Sequence, residues 1–354
     1  MKILFDCRYV RVDRHDGISR YSVGLVTALA RLHPVTMLVS DRAQLAQLPD
    51  LPHHLVSGPT SIREPLLARA VRRFSPDVVF SPMQTMGSWG RDYRLVLTLH
   101  DLIYYRNRTP PPEFAAPIRL LWRLYHLAWW PQRVLLNRAD AVVTVSETTA
   151  ALIAQHRLTD RPVTVVPNAA EPAPALDRRP RTGALVYMGS FMPYKNVATL
   201  VRAMASLPDH ELHLMSRISV DERARLCALA PGARLVFHDG ATDEVYREVL
   251  SGATALVSAS RDEGFGIPLV EAMQLGTPVV VSDIPVFREV GGDAAAYVDP
   301  DDVHGFVRAV QELDDPETWQ RRSTAARAQA TRYSWASSAR VLLALLERVA
   351  SSRS

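Results

Sequence analysis

Residues 255–283, ALVSASRDEGFGIPLVEAMQLGTPVVVSD, hold a strand, a loop, a helix and a second strand in one stretch of sequence. The apolar run Ala255–Ser258 predicts a buried strand, Pro268–Leu275 a helix, and Pro278–Val281 the next strand. Proline suits a first helical turn, where its missing N–H costs nothing. The two glycines of Glu263-Gly264-Phe265-Gly266 allow unusual backbone angles and a close approach by a ligand. The amides of Phe265, Gly266 and Ile267 would then point outward at the positive end of a helix, which is an anion site.

The same alternation extends in both directions. Before residue 167 it gives strands at Lys2–Phe5, Val35–Ser40, Asp77–Phe80, Leu95–Leu99, Ala141–Val145 and Val163–Val166. Helices fall at Ile18–Leu32, Ser61–Phe74, Pro117–Arg138 and Thr148–His156. Pro167–Gly183 contains four prolines and no hydrophobic period, so it reads as a linker. After it, strands at Ala184–Met188, Glu211–Met215 and Leu235–His238 alternate with helices at Asn196–Leu207, Val220–Ala230 and Asp243–Leu250. The C-terminus reads as helical over Val303–Leu313, Pro316–Tyr333 and Trp335–Val349. Such alternation predicts an α/β protein of two doubly wound domains, Rossmann-like and facing a central cleft. The boundaries expected are 1–167, a linker over 168–183, a second domain over 184–333, and a final helix over 334–354 packing back on the first.

The 354 residues suit two domains, and 47% hydrophobic content with 22% charge excludes a disordered, collagenous or coiled-coil chain. No apolar run is long enough to span a membrane, and Asp6 and Arg8 interrupt the N-terminus too early for a signal peptide. Cys7 and Cys227 stand in no metal-type spacing; both are expected as buried thiols in a reducing cytoplasm. Residues 1–170 carry 21 basic and 13 acidic side chains, residues 171–354 carry 20 and 24. The basic half fits an anionic partner, or simply an arginine-rich proteome. No nucleic-acid-binding motif accompanies it.

Of 41 basic residues only Lys2 and Lys195 are lysine. An ammonium on a thin stem enters places a guanidinium cannot. Lys195 lies in LVYMGSFMPYKNVATL, residues 185–200, a strand, glycine turn and helix that again suit a phosphate. There it would neutralise charge on a departing diphosphate. Neither a P-loop nor a GxGxxG motif is present. Glu263 and Glu271 bracket the glycine loop; each reads also as a solvated or dipole-favoured carboxylate, with Glu271 expected in the first helical turn. Both could accept hydroxyl hydrogen bonds from a sugar and a ribose. Gly17, before the first helix, reads as an anion contact or an ordinary N-terminal glycine. His100-Asp101, after Leu95–Leu99, reads as a catalytic pair or as a loop histidine with a capping aspartate. The Asp299–Asp302 run DPDD is read as a helix cap, and no metal ligands are expected.

The whole chain resembles the retaining GT-B glycosyltransferases of family GT4. The match is carried by EGFGIPLVE at 263–271, GISRY at 17–21, HDL at 100–102, VSE at 145–147, VPNA at 166–169 and YMGS…YKN at 187–196. The resemblance implies a nucleotide-sugar donor held mainly by the second domain. Glu271 would bind the ribose and Glu263 the sugar; the amides of Phe265, Gly266 and Ile267 would contact sugar and diphosphate. Lys195, Gly17 and the turn at Ser190 would hold the diphosphate, and His100, beside Asp101, the transferred sugar. Ser190 and Tyr194 stand where many relatives carry arginine, so Arg217 and Arg261 are candidate replacements. The pattern is similar to bacterial mannosyltransferases of polysaccharide synthesis, which favours GDP-mannose and implies no metal or other cofactor. A GT-B epimerase or phosphorylase, or a non-catalytic scaffold, are the rival readings. The acceptor expected is a glycan or lipid-linked glycan. Residues 117–138 mix tryptophan and arginine, as an interfacial helix resting on the inner face of an anionic membrane would, or as a core helix covered by arginine stems.

Overall fold

The computed structural model describes residues 1–12, 16–110, 116–171 and 181–352. The chain divides into two compact units, Met1–Ala169 with Ser334–Ser354, and Ala170–Tyr333. Residues 172–180, within the expected linker, lie outside the described residues.

The first unit contains β1 (Ile3–Asp6), β2 (Val35–Val39), β3 (His53–Leu55), β4 (Val78–Ser81), β5 (Arg94–Leu99), β6 (Ala141–Thr144) and β7 (Val163–Val165). They form one parallel sheet in the order β3-β2-β1-β4-β5-β6-β7. The second unit contains β8 (Ala184–Tyr187), β9 (Glu211–Leu214), β10 (Leu235–Phe237), β11 (Ala255–Ser258), β12 (Val279–Ser282) and β13 (Ala296–Val298), ordered β10-β9-β8-β11-β12-β13. Both are Rossmann-like: the first strand of each unit lies mid-sheet, and chain order reverses beside it. Ile3 is in register with Val35 on one side and Val78 on the other; Leu185 stands likewise between Leu212 and Ala255. Every residue of β1, β4, β6, β8, β11 and β12 is buried, because helices cover both faces. This is why those strands read as unbroken apolar runs.

Helix Trp335–Ser351 belongs to the first unit and packs along helix Gly17–Ala30. Gly24 makes room for it: a Cβ there would stand 2.2 Å from the Trp335 ring. Ser338 Oγ donates to the Pro167 carbonyl at 2.7 Å.

Several expectations are corrected. The single helix 117–138 is two, Ala116–Tyr125 and Trp130–Leu136, with Pro131 in the first turn of the second, where it cannot continue a preceding helix. Ser61–Phe74 is a short helix, Leu67–Val71, between two 3₁₀ turns, the first containing Pro65. Strands β3 and β13 and helix Pro285–Gly291 were not foreseen. Cys227 is exposed, on the solvent side of helix Val220–Leu229, whereas Cys7 is buried and burial pushes its thiol well above the usual range.

Candidate active site

In the second unit the loops after β8 and β11 leave adjacent strands at the point where strand order reverses. Ligands of open α/β sheets bind beyond the carboxyl ends of strands at such a point. After β8 the chain turns at Gly189, whose amide donates to Ser216 Oγ at 3.2 Å. Tyr187 Oη donates back to the Ser190 carbonyl at 2.6 Å, leaving Ser190 exposed. A 3₁₀ turn, Pro193–Lys195, then delivers Lys195, and Asn196 enters helix Val197–Ala203 in a left-handed conformation, φ 51°.

Lys195 Nζ donates to Glu263 Oε1 at 2.5 Å, and both side chains are only about 15% exposed (15% and 14%). Ser260 Oγ donates to the same oxygen at 2.9 Å, with Ser258 Oγ 3.1 Å behind it. Both contacts use one carboxylate oxygen, so Oε2 keeps its acceptor capacity. The pair is fixed by a clamp across three loops. The Arg261 amide donates to the Tyr194 carbonyl at 2.8 Å, and the Arg261 guanidinium pairs with Asp301. Asn196 Nδ2 donates to the Pro300 carbonyl at 2.6 Å and to Asp301 Oδ1 at 3.3 Å. The Arg261 guanidinium holds the Asp301 carboxyl below the usual carboxylate range.

The glycine loop ends at Gly266, φ +95°, which enters helix Ile267–Leu275. A Cβ there would lie 2.9 Å from the Phe287 ring. No side chain caps this nine-residue helix, so its first amides face outward with the positive end of the dipole. Phe265 is buried edge-on against Tyr333, centroids 5.4 Å apart, and can offer a ligand only its backbone. Glu271 is the fifth helical residue rather than a member of the first turn. Dipole stabilisation falls off within that turn, so it explains little of this carboxylate. Arg217, in the loop after β9, is exposed and lies over Gly240, where a Cβ would meet it at 2.6 Å.

Three candidates belong to the first unit. Gly17 opens helix Gly17–Ala30, capped by Asp16, whose Oδ1 accepts from the Ser19 amide at 2.8 Å. His100 follows β5, and its Nε2 lies 2.7 Å from the Pro82 carbonyl. That contact selects the Nε2–H tautomer and leaves Nδ1 as an acceptor. The Tyr21 ring stands edge-on at 5.0 Å, and burial lowers the imidazole pKa, which favours the neutral ring. Asp101 Oδ1 accepts from the Ile103 amide at 3.0 Å, as a turn cap does. Lys195, Glu263, Glu271, Ser190, Arg217 and Arg261 belong to the second unit.

Sequence reasoning missed Ser260, Asn196 and Asp301. Asn196 lies in the YKN motif and Asp301 in the DPDD run, whose pattern signals only a cap; Asp302 does cap its helix, accepting from the Gly305 amide at 2.8 Å. Among the described residues, no group of three His, Cys, Asp or Glu is placed to hold a metal ion.

Two family profiles match the chain: Glycosyltransferase Family 4 over residues 15–173 and Glycosyl transferases group 1 over residues 174–329. The O-antigen chain mannosyltransferase RfbU of Salmonella typhimurium is 25% identical over 313 residues, covering 84% of this chain and 87% of that one. The O-antigen chain mannosyltransferase B of Escherichia coli is 27% identical over 386 residues, covering 95% and 96%. Among solved structures, sucrose-phosphate synthase from Thermosynechococcus elongatus superposes with a TM-score of 0.76 at 19% identity, over 99% of both chains. That likeness is one of fold.

Proposed function

Because the chain belongs to glycosyltransferase family 4 and is a glycosyltransferase, we propose that it moves mannose from GDP-mannose to a lipid-linked polysaccharide acceptor, retaining anomeric configuration. The observation that carries this reading is the Lys195–Glu263 pair set beside an uncapped helix start at the strand-order reversal. The diphosphate would meet the amides of Phe265, Gly266 and Ile267 and the Lys195 ammonium. As the bond from the sugar's anomeric carbon to phosphate oxygen breaks, negative charge grows on the leaving diphosphate, and Lys195 opposes it. The acceptor oxygen forms the new bond on the same face, and its proton passes to the leaving phosphate. Glu263 Oε2 would accept from sugar hydroxyls and Glu271 from the ribose. Neutral His100 can accept a hydroxyl hydrogen bond at Nδ1. Names of the O-antigen relatives support mannose.

A thermal-shift series with GDP-, UDP-, ADP- and dTDP-sugars tests the donor. A ligand at 100 times its Kd stabilises the native state by about 2.7 kcal/mol. GDP-mannose is expected to raise the melting temperature most; a larger shift with a UDP-sugar overturns the assignment of the base.

The lipid-linked acceptor is supported by helix Ala116–Tyr125 and its successor. Trp122 and His126 turn inward: Trp122 meets Tyr104 at 5.1 Å and His126 meets Tyr105 at 5.0 Å. The side that faces out carries Ile118, Leu120, Leu121, Leu124, Leu127 and Trp130, each 52–66% exposed. Arg119 and Arg123 flank them, also exposed. Such a helix lies in an anionic interface. No helix among the described residues is long and apolar enough to cross a membrane. The chain is expected to sediment with phosphatidylglycerol vesicles at low salt, and Leu120→Asp/Leu121→Asp to stay in solution. Equal sedimentation of both proteins removes the membrane contact.

A further inference from the structure

The first unit holds a second constructed feature that sugar transfer does not use. It begins with a buried ion chain. Arg8 pairs with Asp6 through Nε at 2.8 Å, and with Glu64 through Nη1 at 2.6 Å and Nη2 at 3.1 Å. The side chains of Asp6 and Arg8 are wholly buried. Glu64 Oε1 also accepts from the Gly87 amide at 3.0 Å. Gly87 sits so close to this turn that a Cβ would fall 1.7 Å from the Glu64 carbonyl oxygen. The far side of the loop is tied by Arg91, which pairs with Asp140 at 2.7 Å and donates to the Arg138 carbonyl at 2.9 Å.

Between these anchors the turn Ser88-Trp89-Gly90 presents Trp89 to solvent, 69% exposed, with Gly90 at φ +79°. The indole borders a pocket of about 450 Å³ lined by Pro65, Gly87, Ser88, Trp89, Arg91 and Arg138. Arg91 is committed to its anchoring contacts. The exposed Arg138 guanidinium forms no ion pair with a carboxylate among the described residues. A rigid aromatic wall beside a guanidinium is an amphipathic binding surface: the ring supplies flat apolar area and the arginine takes a carboxylate or phosphate. The volume lies in the range of small-ligand sites.

We infer that this pocket binds an acidic sugar unit of a glycan chain, its ring face on Trp89 and its anionic substituent on Arg138. The choice of a glycan over another anionic, ring-bearing ligand rests on the transferase reading; the pocket itself lies wholly in the first unit and uses none of the donor residues.

The test is calorimetric titration of the full chain with a mannuronate tetrasaccharide, a neutral mannose tetrasaccharide and mannose 6-phosphate. Wild type is expected to bind the acidic tetrasaccharide at least tenfold more tightly than either of the others. Trp89→Ala should weaken that binding tenfold or more, and Arg138→Gln should abolish the preference for the acidic chain. Both variants should keep the wild-type thermal shift with the nucleotide-sugar, which separates failure here from failure of the donor site. Binding unchanged in both variants overturns the inference, as does no binding of the acidic tetrasaccharide by wild type. Mannose 6-phosphate binding as tightly as the tetrasaccharide overturns the glycan as its source.

Discussion

Lys195→Ala is expected to lower the rate of glycosyl transfer by about 10²–10³ at saturating donor, the usual cost of removing one charge-stabilising group from a transition state. The ammonium already sits 2.5 Å from Glu263 and beside the uncapped start of helix Ile267–Leu275, where the leaving diphosphate would develop its charge. Lys195→Arg should recover little. A planar guanidinium is broader than the compact ammonium that reaches Glu263 Oε1 at 2.5 Å. The chain itself speaks for this, since 39 of its 41 basic residues are arginine and this position is not. The fold should survive, because the loop remains held by Asn196 on Pro300 and by the Arg261 amide on Tyr194. Turnover and donor-induced thermal shift measured on the same protein separate binding from chemistry. Wild-type turnover in Lys195→Ala would remove the lysine from the reaction.

Legibility from sequence followed the number of neighbours that constrain each segment. Strands covered on both faces must be continuously apolar; Ala255–Ser258 is legible to the residue, and β1, β4, β6, β8 and β12 to within one residue at each end. The edge strands β3 and β13 have three residues and little burial to enforce a pattern. The helix starts at Ile267, one residue before the boundary that Pro268 signals, so Glu271 falls beyond the first turn. Residues 117–138 misled differently. Their aliphatic residues and Trp130 point out while Trp122 and His126 turn in, so hydrophobic periodicity alone does not say where the helix breaks. Within the site, Lys195 and Glu263 were each visible in a local motif. Their contact spans 68 positions, and the Asn196–Asp301 contact spans 105; neither pairing is encoded in local spacing.

Arg8→Ala is expected to destabilise the first unit by about 3–5 kcal/mol, the cost of removing one partner from a buried ion pair. The loss is not that of one attraction. Among the described residues, Asp6 would keep a charge at full burial with only Ser81 Oγ, at 3.0 Å, and the amide of residue 8, at 3.2 Å, to satisfy it. Glu64 would lose both its guanidinium contacts and retain the Gly87 amide. Neutralising the whole set, Asp6→Asn with Arg8→Met and Glu64→Gln, should recover most of the stability, since no buried charge is then left alone. With two units, unfolding need not be a single transition. Thermal unfolding should therefore show the transition of the first unit moving down while donor-induced stabilisation of the second persists. A displacement equivalent to less than about 1 kcal/mol in Arg8→Ala would mean that the vacated space hydrates the carboxylates as well as arginine does, and that the loop carrying Trp89 is held without the ion chain.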